Sequence, residues 1–201
     1  MTPLKRVFDV TLALILAVVL GPFVAFVALV VLVLDGRPVF YLSERMQTPT
    51  RGFTLIKFRT MTPDASDSGV SGNDKSDRIT RTGGFIRKSR LDEIPQLWNV
   101  LRGDISFVGP RPPLRQYVEQ FPDLYAQVLR SRPGITGLAT VYFHAHEERL
   151  LAQTTTREDT DAVYARRCVP RKARIDLMYQ RNRTLCMDIA ILAKTVFKSL
   201  R

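Results

Sequence analysis

Residues 10–34 read VTLALILAVVLGPFVAFVALVVLVL, a run of 25 positions without a charged side chain. Lys5, Arg6 and Asp9 precede it, and Asp35 and Arg37 follow. A hydrocarbon core about 30 Å thick takes about 20 apolar residues of helix, so the run is long enough to enter a membrane. A helix in a soluble core keeps a polar face, and none is visible here. A cleaved leader fits poorly, because the apolar run is too long and no small-residue cleavage site follows. Pro22, directly after Gly21, splits the run into segments of 12 and 13 residues. Proline withholds a backbone donor and crowds the carbonyl of Val18, so a kink is expected there. At ~1.5 Å per residue each half reaches roughly 18–20 Å, which matches one leaflet and not two. Both flanks are basic, since 28 of the 30 Lys and Arg residues follow the run and Lys5 and Arg6 precede it. Basic flanks favour the cytoplasmic side, and two of them favour a re-entrant hairpin. Proline is also tolerated in spanning helices, so the spanning geometry stays open from physics alone.

The rest of the composition narrows the class. A chain of 201 residues suits one domain, or one domain with an appendage. With 45% hydrophobic and 24% charged residues it is not a disordered chain, and it shows no fixed repeat of solenoid length. Its two cysteines, Cys168 and Cys186, lack any metal-ligand spacing. That argues against a disulfide framework or zinc finger and for a reducing compartment. The net charge of +11 implies an acidic partner: nucleic acid, an anionic membrane surface or a phosphorylated substrate. Residues 166–201 alone carry a net +8. That tail is not polar throughout, as a nucleic-acid arm would be, so no nucleic-acid partner is expected. Leu185, Ile189, Leu192, Ala193, Val196, Phe197 and Leu200 recur with helical spacing, while Arg183, Lys194, Lys198 and Arg201 take other faces. This is the pattern of a cationic helix lying on anionic membrane lipid. An ordinary surface helix covering the core gives the same pattern.

Between the two apolar segments, residues 38–41 and 52–56 read as short strands and 62–77 as a polar surface loop. Residues 83–103 read as a helix stopped at Gly103, and 114–130 as a helix divided at Pro122. The expected fold is α/β, mostly helical with a small sheet. Its parts are a membrane helix (1–35), a catalytic domain (36–182) and a C-terminal amphipathic helix (183–201).

Residues 78–115 hold eight basic side chains and only three acids, Asp92, Glu93 and Asp104. Two of the acids are adjacent, in Ser89-Arg90-Leu91-Asp92-Glu93-Ile94-Pro95-Gln96-Leu97. Pro95 fits only the first turn of a helix, so a helix is expected to start near Asp92. Its free N–H groups and positive dipole end would then lie beside both carboxylates, where an anion could also bind. Magnesium would reconcile carboxylates with phosphate oxygens, and Arg87, Lys88 and Arg90 could neutralise a diphosphate nearby. An Asp carboxylate can act as a nucleophile toward phosphorus. Helix capping explains the same two acids without any chemistry. His144 and His146 would share a face on a strand and read as ordinary residues, not metal ligands.

The motifs taken together resemble the bacterial sugar transferase family, the monotopic phosphoglycosyl transferases, in minimal single-domain form. They are Lys5-Arg6-Val7-Phe8-Asp9, the membrane segment broken at Pro22, Gly36-Arg37-Pro38-Val39-Phe40, Glu44-Arg45 and Lys57-Phe58-Arg59-Thr60-Met61. Leu91 to Leu97, Asn99-Val100-Leu101-Arg102-Gly103-Asp104, Val108-Gly109-Pro110-Arg111-Pro112 and Arg132-Pro133-Gly134-Ile135-Thr136-Gly137 complete the set. The resemblance implies a re-entrant helix at the cytoplasmic face of the bacterial inner membrane. It implies transfer of a sugar phosphate from a UDP-sugar to polyprenyl (undecaprenyl) phosphate, with UMP released, at the first membrane step of glycoconjugate or polysaccharide assembly. It implies Mg2+ and a covalent phosphosugar-enzyme intermediate. By position Asp92 would be the nucleophile and metal partner, and Glu93 would accept the proton of the polyprenyl phosphate. Lys57, Arg59, Arg87 and Arg111 would contact phosphate, and a homodimer stays open.

Two departures stand out. After Leu138-Ala139 many relatives continue with Gln and a Gly-Arg-Asn stretch, where this chain has Thr140-Val141-Tyr142-Phe143-His144-Ala145-His146. Many also carry Ser before the membrane proline, where Gly21 stands here. A reading that needs no Asp-Glu pair also exists: a non-catalytic membrane-anchored adaptor that binds acidic lipid or nucleic acid.

Overall fold

The computed structural model describes residues 1–64, 70 and 73–199. Part of the expected loop at 62–77, and Leu200 and Arg201 at the end of the expected C-terminal helix, lie outside the described residues. The first helix, α1 (Pro3–Leu34), starts with Thr2 as N-cap and Pro3 at its first position, where a missing N–H costs nothing. Pro22 sits inside it, and the backbone keeps its helical state on both sides. The expected interruption is therefore a local loss of one hydrogen bond and not a gap in the helix. Gly21, whose Cβ position is open space, leaves the turn uncrowded.

Both arms of α1 are anchored to the same body. Near its start, Arg6 donates to the carbonyls of Val100 and Leu101, and the Asp9 carboxylate accepts from Ser106 Oγ at 2.7 Å. Lys5 pairs with Asp188. Ala13, Leu12 and Leu16 then pack among Leu55, Leu97 and Val100. Toward its end, Val27 and Val31 pack with Phe58 and Ile86. Between these arms the helix is bare: Val18 is 79% and Val19 67% exposed. Such exposure has no solvent rationale for an aliphatic run of this length.

Two strands follow, β1 (Phe40–Met46) and β2 (Gly52–Phe58), paired antiparallel with Tyr41 opposite Lys57. The next helix, α2 (Arg81–Lys88), ends at Ser89. Arg90 then adopts a left-handed backbone with φ 56°, which costs a non-glycine residue about 1–2 kcal/mol. The expected single helix over 83–103 is thereby broken. It resumes as a 3-10 turn (Leu91–Gln96) and α3 (Leu97–Arg102), closed by Gly103 at φ 85°. Two short parallel strands, β3 (Ser106–Val108) and β4 (Gly134–Thr136), flank α4 (Arg115–Gln120) and α5 (Pro122–Val128), which are divided at Pro122 as the sequence requires. The small sheet is thus two separate strand pairs. The remaining helices are α6 (Leu138–Leu151), α7 (Arg157–Val163), α8 (Val169–Asn182) and α9 (Leu185–Ser199), with a π-helical turn (Tyr164–Cys168) between α7 and α8.

The C-terminal helix divides its apolar stripe. It packs through Ile191 and Asp188, and Thr195 meets Thr136 at 2.8 Å. Of the stripe read from the sequence, Leu192 packs against the core, while Ile189, Val196 and Phe197 are exposed, the last by 70%.

Candidate active site

The backbone around the acidic pair is fixed from three sides. Asn99 on α3 accepts from the Ile56 N–H and donates to Thr54 O and to Asp104 Oδ2, which locks α3 onto the β2 edge. That places Lys57, the next residue on β2, over the 3-10 turn that carries Asp92 and Glu93. The third side is the crossing of β3 and β4. Gly109 N donates to Thr136 O and Gly134 N to Pro110 O. A Cβ on Gly109 would lie 2.2 Å from Arg132 O, so only glycine permits this approach. The crossing delivers Arg111.

The Lys57 ammonium lies 3.2 Å from Asp92 Oδ2 and 2.9 Å from Glu93 Oε1, and Arg111 Nη2 lies 3.0 Å from the same Glu93 oxygen. Burial alone would raise the Glu93 carboxyl, but Lys57 and Arg111 outweigh it and hold it far below the usual carboxylate range. The Glu93 charge in turn holds Arg111 above its ordinary value. Among the described residues the Asp92 side chain makes one polar contact, the one to Lys57. The cluster opens into a cleft of about 1590 Å3 that also contains Arg87, Arg90 and Arg45.

All four sequence-derived phosphate contacts, Lys57, Arg59, Arg87 and Arg111, line the cleft, and Arg87 Nη1 rests 3.3 Å from Met61 Sδ. Arg59 also serves the fold. Its Nη2 donates to Asp35 O at 2.6 Å and to Gly36 O at 2.8 Å, which closes the C-terminus of α1. The Asp35 carboxylate accepts in turn from Thr80 and Thr82. Arg59 therefore ties the end of α1 to the cleft wall, and its buried Nε keeps no partner among the described residues. Arg45 is the cation that sequence reasoning did not single out: its Nε is buried without a partner, and burial together with Arg111 lowers its pKa. Only its place in the Glu44-Arg45 motif hinted at it. His144 and His146 sit on a helix and not on a strand, and point differently: His144 lines the cleft, while His146 meets Arg171 at 3.2 Å.

The model of one family, the bacterial sugar transferases, matches this chain over residues 1–201. The chain belongs to the bacterial sugar transferase family. Among its relatives, the sugar transferase EpsL of Bacillus subtilis is 36% identical over 197 residues, covering 98% of this chain and 87% of that one. The UDP-N-acetylgalactosamine-undecaprenyl-phosphate N-acetylgalactosaminephosphotransferase of Aeromonas hydrophila is 33% identical over 96% of this chain and 43% of its own length. The undecaprenyl-phosphate glucose phosphotransferase of Komagataeibacter xylinus is 33% identical over 98% of this chain and 36% of its own length. This chain thus spans less than half of the last two.

No group of three or more His, Cys, Asp or Glu side chains among the described residues could hold a metal by itself. The donor set does fit Mg2+. Magnesium binds through one or two hard carboxylate oxygens and completes its shell with water and substrate phosphates. Asp92, a carboxylate with a single polar partner in a cleft lined by cations, supplies that kind of ligand.

Proposed function

We propose that the chain is a phosphoglycosyl transferase that moves a sugar phosphate from a UDP-sugar to polyprenyl phosphate and releases UMP. The observation that carries this reading is the Asp92–Glu93 pair bridged by Lys57, with Arg111 on Glu93, inside one cationic cleft. In the first step an Asp92 oxygen attacks the phosphorus that bears the sugar. The P–O bond to the second phosphate breaks, and UMP leaves with the bridging oxygen and its electron pair. In the second step an oxygen of polyprenyl phosphate attacks the same phosphorus, and the Asp92 carboxylate leaves. Lys57, Arg111 and Arg87 neutralise the charge on the non-bridging oxygens. Asp92 would hold Mg2+, whose Lewis acidity would add to that neutralisation.

Glu93 would accept the proton of the polyprenyl phosphate. Glu93, held strongly ionised by two cations, is a weak proton acceptor in this arrangement. Its basicity rises only when arriving phosphates draw Lys57 and Arg111 away. The acceptor is thus activated by the substrate's own charge. Asp92→Asn should abolish UMP release from every UDP-sugar tested with Mg2+. Ordinary turnover in that variant would remove Asp92 from the nucleophile role.

The same reading places the protein on the membrane as a re-entrant, monotopic enzyme. Support comes from the two arms of α1, which return to one body while the turns around Pro22 stay bare. Cysteines introduced near residues 3 and 45 should label from the same side of sealed vesicles. Labelling from opposite sides would exclude the hairpin.

A further inference from the structure

A second polar cluster lines the same cleft and takes no part in the chemistry above. On α8, Lys172 donates to Glu147 Oε1 on α6 at 3.0 Å and to the Tyr164 hydroxyl at 3.1 Å. All three lie on the cleft wall. One helical turn further along α8, Asp176 lines it too. That carboxyl is 7% exposed, and its Oδ1 has no hydrogen-bond partner. Burial pushes its pKa up to about 7, against the opposing influence of Lys172 and the Ala139 N–H. A buried acceptor without a donor costs about 1–3 kcal/mol, and such groups are few in folded proteins. Glu147 also contributes to the field that keeps Arg111 charged, so this cluster adjoins the catalytic one.

The chemistry of the wall selects among the parts of the two substrates. A diphosphate is repelled by two carboxylates. A polyprenyl chain gains nothing from charged side chains. A uracil ring offers a single N–H donor against two carbonyl acceptors, which suits a wall of carboxylates poorly. A hexose offers several hydroxyl donors together with acceptors for an ammonium. We therefore propose that Glu147, Lys172 and Asp176 form the subsite that selects the donor's sugar ring, with Asp176 Oδ1 accepting a hydrogen bond from one ring hydroxyl. The inference rests on the transferase reading and deepens it. Glu147 follows directly, on α6, after the departing stretch 140–146.

The test is a specificity profile. UMP release is measured for UDP-hexoses, UDP-N-acetylhexosamines and singly deoxygenated UDP-hexoses, and UDP serves as a competitive inhibitor that lacks the sugar. A site built to hydrogen-bond a hydroxyl discriminates by about 100-fold or more against a donor lacking it. In Asp176→Ala, kcat/KM for the preferred donor should fall about 100-fold, while the deoxy donor missing the bonded hydroxyl should lose less than about threefold. The Ki of UDP should stay within twofold of its starting value. Asp176→Leu, which keeps much of the shape and has no acceptor, carries the same comparison if the alanine variant does not fold. Equal loss for all donors would overturn the subsite and leave the transferase standing, and so would a Ki for UDP that rises with the loss. No UMP from any donor with the unaltered protein would overturn the transferase reading and the subsite with it.

Discussion

Replacing Lys57 by methionine isolates the group that joins the two acids. Its ammonium is within 3.2 Å of Asp92 and 2.9 Å of Glu93, and these three side chains are only 12–17% exposed. Removing one partner of a buried pair leaves an uncompensated charge and costs about 3–5 kcal/mol. In a domain of this size, about 2–4 °C per kcal/mol converts that into a melting temperature lower by about 6–20 °C. The pH dependence has a definite sign. The folded Glu93 carboxyl is depressed, so its stabilising contribution is complete above its unfolded pKa and is lost as pH falls through its folded value. Without Lys57, burial is opposed less strongly, so that folded value rises and the acid limb of stability moves to higher pH. If Lys57 also neutralises the transferred phosphoryl group, UMP release falls about 10²–10³-fold at neutral pH. Thermal unfolding from pH 3 to 8, alongside a UMP-release assay, reads both effects. An unmoved acid limb together with turnover within twofold would refute this account of the cluster. Glu93→Gln, which needs no cation to stay buried, should restore part of the stability of Lys57→Met without restoring turnover.

Arg59→Met separates architecture from phosphate binding. Losing its bonds to Asp35 and Gly36 should cost about 2–3 kcal/mol of stability, with kcat/KM of the folded enzyme kept within about tenfold. A loss of about 10²–10³ without destabilisation would return Arg59 to the phosphate site. For the exposed stripe of α9, Phe197→Trp in a Trp98→Phe background reports depth through the single remaining indole. Brominated lipid should quench its fluorescence, and quenching by aqueous acrylamide alone would show that the stripe faces water.

The sequence made the membrane segment legible because 25 uncharged residues admit few other uses. The acidic pair was legible for a similar reason, as two adjacent carboxylates stood in a basic belt. What escaped it was set by contacts between distant residues. The interruption at Arg90 has no glycine to announce it, since the left-handed backbone falls on an arginine. Arg59 sits two residues from Lys57 in one motif and lines the same cleft, yet its Nη2 bonds the end of α1 while Lys57 bonds the acidic pair, a difference no local pattern marks. The cluster at Glu147, Lys172 and Asp176 joins residues far apart along the chain, and no local pattern marks it. For α9, periodicity correctly identified a stripe but could not tell which side of the helix the core would take.

The way α1 is built into the body bears on attempts to make a water-soluble version. Ala13, Val27 and Val31 are fully enclosed by residues of β2, α2 and α3. Trimming the first 35 residues would thus do more than remove a handle. It would strip one side from two of the three hydrophobic clusters, leave Leu55, Phe58 and Ile86 uncovered, and undo the caps at Val100 and Asp35. The truncated product is expected to aggregate, so detergent or nanodiscs, and not deletion, are the practical route to an active preparation.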